Sequence, residues 1–253
     1  MKRFYALVAG LILATGVEAQ AAGNWISSSE VSVIQGDYGT GDDTTITQLS
    51  ETIKYRGTTG ELGVVVPYLF RRGGAVTPGE GGRARNQAIP SNADGMGDVQ
   101  LKGKYFWIQE TDTQPSVDLA GRIKFPTASE SDGLGTGRFD VGFGPELLKW
   151  FGSFFLLGDV ELVLRDKPDN STLKSVRLDY SVGGGYSWTD RLTTTLTLDG
   201  GTQTNSGTDA PLELVLSGVY KMTESLSATT FVLGGLTDGS PDFGAGAGLT
   251  VKF

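Results

Sequence analysis

From residue 25 onward the chain alternates apolar with polar or small side chains, and no helical spacing interrupts the pattern. A period of two sends successive side chains to opposite faces of an extended strand. In 116–125, Val117, Leu119, Ile123 and Phe125 take one face, while Asp118, Arg122 and Lys124 take the other. In 191–199, Leu192, Leu196 and Leu198 oppose Arg191, Thr193, Thr195, Thr197 and Asp199. The same period predicts twelve strands, at 25–35, 44–56, 61–71, 97–108, 116–126, 139–150, 153–165, 175–188, 191–203, 211–222, 225–236 and 242–253. The fold class expected is therefore all-β.

The connections alternate in length. Short ones fall at 56–60, 151–152, 189–190 and 223–224, and longer ones at 36–43, 72–96, 127–138, 166–174, 204–210 and 237–241. The stretch 109–115 is intermediate and occupies a short-turn slot. Short periplasmic turns and longer outer loops are the arrangement of a transmembrane antiparallel up-and-down β-barrel, whose strand number is even. A hairpin-sized repeat relates 185–195 to 219–229 within that single barrel.

The first residues read as an export signal. Met1, Lys2 and Arg3 are followed by an apolar run from Phe4 to Val17 and by the small-residue site Ala19-Gln20-Ala21. That order describes a secretory signal peptide, and the run is shorter than the roughly 20 residues a spanning helix needs. Cleavage is expected after Ala21, with Ala19 as the fallback, leaving 22–253 as the barrel. The chain has no cysteine, so the exported fold carries no disulfide staples.

Three features favour lipid over a soluble core. Trp25, Trp107, Trp150 and Trp188 fall at strand ends assigned to the periplasmic side, where indoles prefer the headgroup zone. Strict alternation from Phe139 points Trp150 inward, against that pattern. The chain ends on an alternating strand, Phe243 to Phe253, of the kind that assembly machinery recognises in outer-membrane barrels. Finally, the polar face carries many charges: Lys102, Lys104, Asp118, Arg122, Lys124, Asp140, Glu146, Asp159, Glu161, Arg177 and Asp179 are candidate lumen-lining residues. A dry core would desolvate such charges at high cost, whereas an aqueous lumen accepts them.

Composition excludes several functions. The net charge is −8 with no basic stripe, which leaves nucleic-acid binding without an electrostatic footing. Histidine is absent, removing His-dependent nucleophilic catalysis and the commonest metal ligand. Asp159 and Glu161 share a strand face as two glycosidase carboxylates would, but they read better as partners of Arg165 and Arg177. Lys124 and Asp140 likewise read as a wall pair. Gly183-Gly184-Gly185 and Gly133-Leu-Gly-Thr-Gly137 lack the helix and the Gly-Lys-Ser/Thr of a phosphate loop. Neither an enzyme, a cofactor nor a metal is expected.

The long loop 72–96 brings Arg72, Arg83 and Arg85 to a candidate pore mouth, either folded inward or left as an external loop. Twelve strands lie between filled eight-strand barrels and wide porins, so inward side-chain size decides the lumen. Ser181, Gly183, Gly185 and Ser187, with Gly244, Gly246 and Gly248, leave open space.

Several motifs come in a characteristic order. They are Gly95-Met-Gly-Asp98, Lys124-Phe-Pro-Thr-Ala128, Leu134-Gly-Thr-Gly137 followed by Asp140, Tyr180-Ser-Val-Gly183, Thr189-Asp-Arg-Leu192, and Leu236 to Phe243. From about residue 95 to the end the chain resembles the outer-membrane family named for the MetA pathway of phenol degradation, whose members are described as transporters. The resemblance implies a barrel linked in some members to uptake of small aromatic compounds, and it assigns no binding residues. The sequence thus points to a narrow passive channel in the outer membrane for small molecules, aromatic or hydrophobic ones among them. Its expected partners are outer-membrane lipids, a small-molecule solute and the barrel-assembly machinery. The competing reading is a closed structural or surface-interaction barrel. Inward glycines favour the channel and dense mixed charge favours the closed form.

Overall fold

The computed structural model describes residues 25–39, 41–74, 90–166, 173–206 and 208–253. The expected signal peptide, 1–21, lies outside the described residues, as do Arg83 and Arg85. The described strands are β1 (Trp25–Gly36), β2 (Thr44–Arg56), β3 (Gly60–Gly73), β4 (Asn92–Met96), β5 (Gln100–Ile108), β6 (Ser116–Lys124) and β7 (Asp140–Phe151). They continue as β8 (Phe154–Arg165), β9 (Val176–Ser187), β10 (Leu192–Gly201), β11 (Leu212–Lys221), β12 (Leu226–Gly235) and β13 (Phe243–Lys252).

Every pairing is antiparallel, and β1 pairs with both β2 and β13, from Ile26↔Lys252 to Gln35↔Phe243, so the sheet closes on itself. β4 and β5 lie end to end along β3 and form one stave, which makes a twelve-strand barrel. Closure satisfies the backbone donors and acceptors between strands and leaves no edge, the condition for β-structure inside a bilayer.

The stave made of β4 and β5 differs from the strand expected at 97–108. It begins at Asn92 and breaks at 97–99, where the register against β3 slips by one, from Tyr68↔Met96 to Val65↔Gln100. Pro67, which has no N–H to donate, stands opposite the break and accepts from Gly97 N at 2.9 Å. The slip reverses side-chain parity, as a bulge does, and turns Asp98 toward the lumen.

Burial runs inside out relative to a soluble protein. On β9, Val176, Leu178, Tyr180 and Val182 are 37–56% exposed, while Arg177, Asp179 and Ser181 on the other face are at most 6% exposed. The outward faces of the described strands carry exposed large apolar side chains, a belt suited to lipid, while a second apolar set that includes Leu69, Phe155, Val215, Phe231 and Leu233 is buried on the inward faces. Trp25, Trp107 and Trp188 face outward near one rim, where Trp25 packs on Tyr55 and Trp188 on Tyr186 at centroid distances of 5.2 and 4.9 Å. A bulge between Phe106 and Ile108 leaves Trp107 out of register and pointing outward. Trp150 faces inward, as strict alternation from Phe139 requires, and its ring packs at a tilt against Phe155.

Candidate functional site: the lumen and its inward loop

The connection between β6 and β7 folds into the barrel mouth. Its segment 133–136 is buried, and Leu134, 2% exposed, packs with Ala128 against Leu69 of β3 and Ile46 of β2. Local polarity makes these residues look like a surface turn, but an aliphatic side chain at their centre finds apolar partners only inside the wall. Gly135 fits because a Cβ there would lie 2.7 Å from Ala128 Cβ and 2.9 Å from Asp98 Oδ2.

Lys124 holds this loop. Its Nζ lies 3.0 Å from Asp98 Oδ2, 3.0 Å from Asp140 Oδ2 and 3.0 Å from Thr136 Oγ1. The ammonium has three donors, and these partners take all three. Asp98 Oδ1 also accepts from Ala128 N at 3.0 Å, and Thr127 Oγ1 bridges the break, donating to Gly97 O and accepting from Val99 N. Arg71, fully buried on the inward face of β3, donates to Asp132 O of the loop and to Gly74 O and Pro90 O.

Below the loop, β5 to β9 carry a charged wall, much of it in ion pairs. Arg122 grips Glu161 with two bonds of 2.8 and 3.1 Å, the bidentate form that adds direction to charge. Lys104 pairs with Glu146, and Arg177 with Asp179. Lys54 and Glu61 continue the network at 3.2 Å on the neighbouring staves. Asp118, Glu146 and Asp159 stand side by side in register on β6, β7 and β8. Lys102 stands in register with Arg122 two inward-facing rows closer to the inward loop.

The opposite wall, β10 to β13 with β1, presents mostly neutral groups inward. They include Thr193, Thr195 and Thr197, Val215 and Ser217, Thr229, Phe231 and Leu233, and the glycines of β13. Val215, Phe231 and Leu233 form a buried apolar cluster. Glu30, Asp199 and Glu213 interrupt this wall, as do Lys221 and Lys252 at its other end. At the outer mouth Tyr38, buried with φ 52°, sits near Glu213 and Asp242. Burial first, then those two carboxylates, raise its phenol above the usual range and keep it neutral.

The structure thus places Lys102, Lys104, Asp118, Arg122, Lys124, Asp140, Glu146, Asp159, Glu161, Arg177 and Asp179 on the inward parity of their strands. It does not bring Arg72 to the pore mouth. β3 extends to Gly73, and at its end the exposed Arg72 points outward, bonded to Arg71 O and Ala93 O. The inward arginine is Arg71, which sequence reasoning missed although it shares parity with Leu69. The inward position of loop 127–138 was also missed. Its signal lay in Asp98, Lys124 and Thr136, motif residues distant in sequence that meet at one ammonium.

The family model described as "Putative MetA-pathway of phenol degradation" matches residues 24–253. The match includes 25–94, which the motifs alone left uncovered. No curated protein matches the sequence. In fold the chain is similar to the COG4313 outer membrane channel from Pseudomonas putida F1, with 14% identity, 94% of this chain and 98% of that chain covered, and a TM-score of 0.70. It is also similar to the translocator domain of the autotransporter NalP from Neisseria meningitidis, with 12% identity, 98% and 96% covered and a TM-score of 0.57. A third likeness is to the CymD monoaromatic hydrocarbon channel, with 9% identity, 96% and 92% covered and a TM-score of 0.51. At such identities the likeness speaks for the fold. With the inside-out barrel, the wall of answered charges and the family match over 24–253, this chain belongs to the MetA-pathway phenol degradation family of β-barrel proteins.

Proposed function

We propose that this protein is a passive outer-membrane channel for small uncharged molecules, aromatic and other hydrophobic compounds among them. The observation that carries this reading is the division of the lumen. Its charges answer one another along β5 to β9, and a mostly neutral wall of hydroxyl, aliphatic and glycine positions faces them. An ion entering the lumen loses hydration and meets charges many of which already have partners. A neutral solute forfeits little water and can lie along the uncharged side. The family's link to phenol degradation and the fold shared with a monoaromatic hydrocarbon channel support this class of solute.

In this reading the eleven inward charges named above line the conduit, and loop 127–138 sets its width. The chain is exported by cleavage after Ala21, and its C-terminal strand, ending in the exposed Phe253, engages the barrel-assembly machinery. The folded-in loop also favours a second reading, a closed barrel that acts through its outer surface. Planar-bilayer recording separates the two. The channel reading expects small unitary steps with weak preference between K⁺ and Cl⁻, and a silent membrane with correctly folded protein supports the closed barrel.

A further inference from the structure

We propose that Trp150 forms an aromatic-solute subsite at the periplasmic mouth of the lumen, the last station before release. This rests on the channel reading and adds to it a place and a ligand class. The other three tryptophans are largely exposed on the lipid side, whereas Trp150 takes the inward parity at the end of β7 and is only partly exposed. Its indole lies 4.5 Å, centroid to centroid, from the ring of Phe155, its partner in register on β8, at an interplanar angle of 44°.

The platform is fixed from behind. Phe155 is fully buried, and a Cβ on Gly185 of β9 would fall 2.2 Å from its ring, so the glycine gives the ring its seat. The backbone of Trp150 is tied as well, since its N–H donates to Glu110 Oε1 at 2.8 Å. Lys149 Nζ holds the same carboxylate at 3.1 Å and Thr111 O at 2.6 Å. The turn 109–115 therefore straps the end of β7. One pair of residues toward the interior, Leu148 and Leu157 face each other in register on the same inward faces, enlarging the apolar surface.

An indole with one face backed and part of its surface open accepts a flat ring by offset or edge contact. The charged row of Asp118, Glu146 and Asp159 lies immediately inward of this patch. A monoaromatic hydrocarbon leaving that polar stretch therefore meets apolar surface at Trp150. A sugar presents no flat aromatic ring to it, and the negative face of the indole disfavours an anion.

The test uses full-length protein carrying Trp25→Phe, Trp107→Phe and Trp188→Phe, in which Trp150 alone emits. It is titrated with nitrobenzene as quencher, with toluene or glucose as competitor. The subsite predicts saturable quenching that toluene relieves and glucose does not. Trp150→Leu in the otherwise native chain should slow toluene uptake by intact cells several-fold, with heat-modifiable folding retained. Non-saturable quenching indifferent to toluene, with uptake by wild type intact and unchanged in Trp150→Leu, overturns the subsite and leaves the channel standing. Absence of toluene uptake by correctly folded wild type overturns both.

Discussion

Lys124 Nζ stands 3.0 Å from Asp98 and 3.0 Å from Asp140, joining the break before β5 to the first residue of β7 through a side chain at the end of β6. All three groups are nearly inaccessible, at no more than 9% side-chain exposure. Two buried carboxylates share one ammonium, and the loop folded into the barrel mouth hangs on the same nitrogen through Thr136.

Removing that nitrogen leaves two neighbouring carboxylates without it. Lys124→Met should destabilise the barrel by about 3–5 kcal/mol, the usual cost of breaking a buried pair. It should also free loop 127–138 and raise unitary conductance. Urea unfolding in lipid and planar-bilayer recording check the two effects. The double change Lys124→Met with Asp140→Asn should recover part of the stability and none of the narrowing.

The Arg122–Glu161 pair tests whether the wall is held by direction as well as by charge. Arg122→Lys keeps the charge and loses the two-pronged geometry, so it should lose stability that charge alone cannot explain. A double-mutant cycle with Arg122→Ala and Glu161→Ala should give a coupling of about 0.5–3 kcal/mol. A coupling within error of zero would show that the pair is incidental.

How much of this was legible follows from physical range. Strand faces depend on a period of two within a few residues, so Asp118, Arg122 and Lys124 could be assigned inward without coordinates. The tilt of Trp150 into the lumen followed from the same period. Loop 127–138 was not legible, because Leu134 is buried by Leu69 and Ile46 from distant strands, and nothing in its own neighbourhood announces them. Arg71 and Arg72 show the sensitivity at a strand end. Extending β3 through Gly73 keeps the alternation running, and one residue of difference separates a loop anchor inside from an exposed side chain outside.

Orientation in the membrane makes a depth-dependent prediction. Leu196, half exposed on the outer face in the middle of β10, sits at hydrocarbon depth. Leu196→Arg should cost about 2–4 kcal/mol, whereas Val176→Arg at the outer end of β9 should cost only about 0–1 kcal/mol. Reversible folding into liposomes measures both. Equal costs at the two sites would contradict the placement of the belt.

The channel proposed for this lumen carries small uncharged aromatic molecules across the outer membrane. Its most direct measurement is uptake of labelled toluene at low concentration by intact Gram-negative cells with a complete lipopolysaccharide layer, with and without this protein. Uptake several-fold faster with the protein present, and insensitive to added chloride or acetate, is the predicted result. Equal uptake in the two cell types, with the folded barrel verified in the outer membrane by its heat-dependent gel mobility, would contradict it.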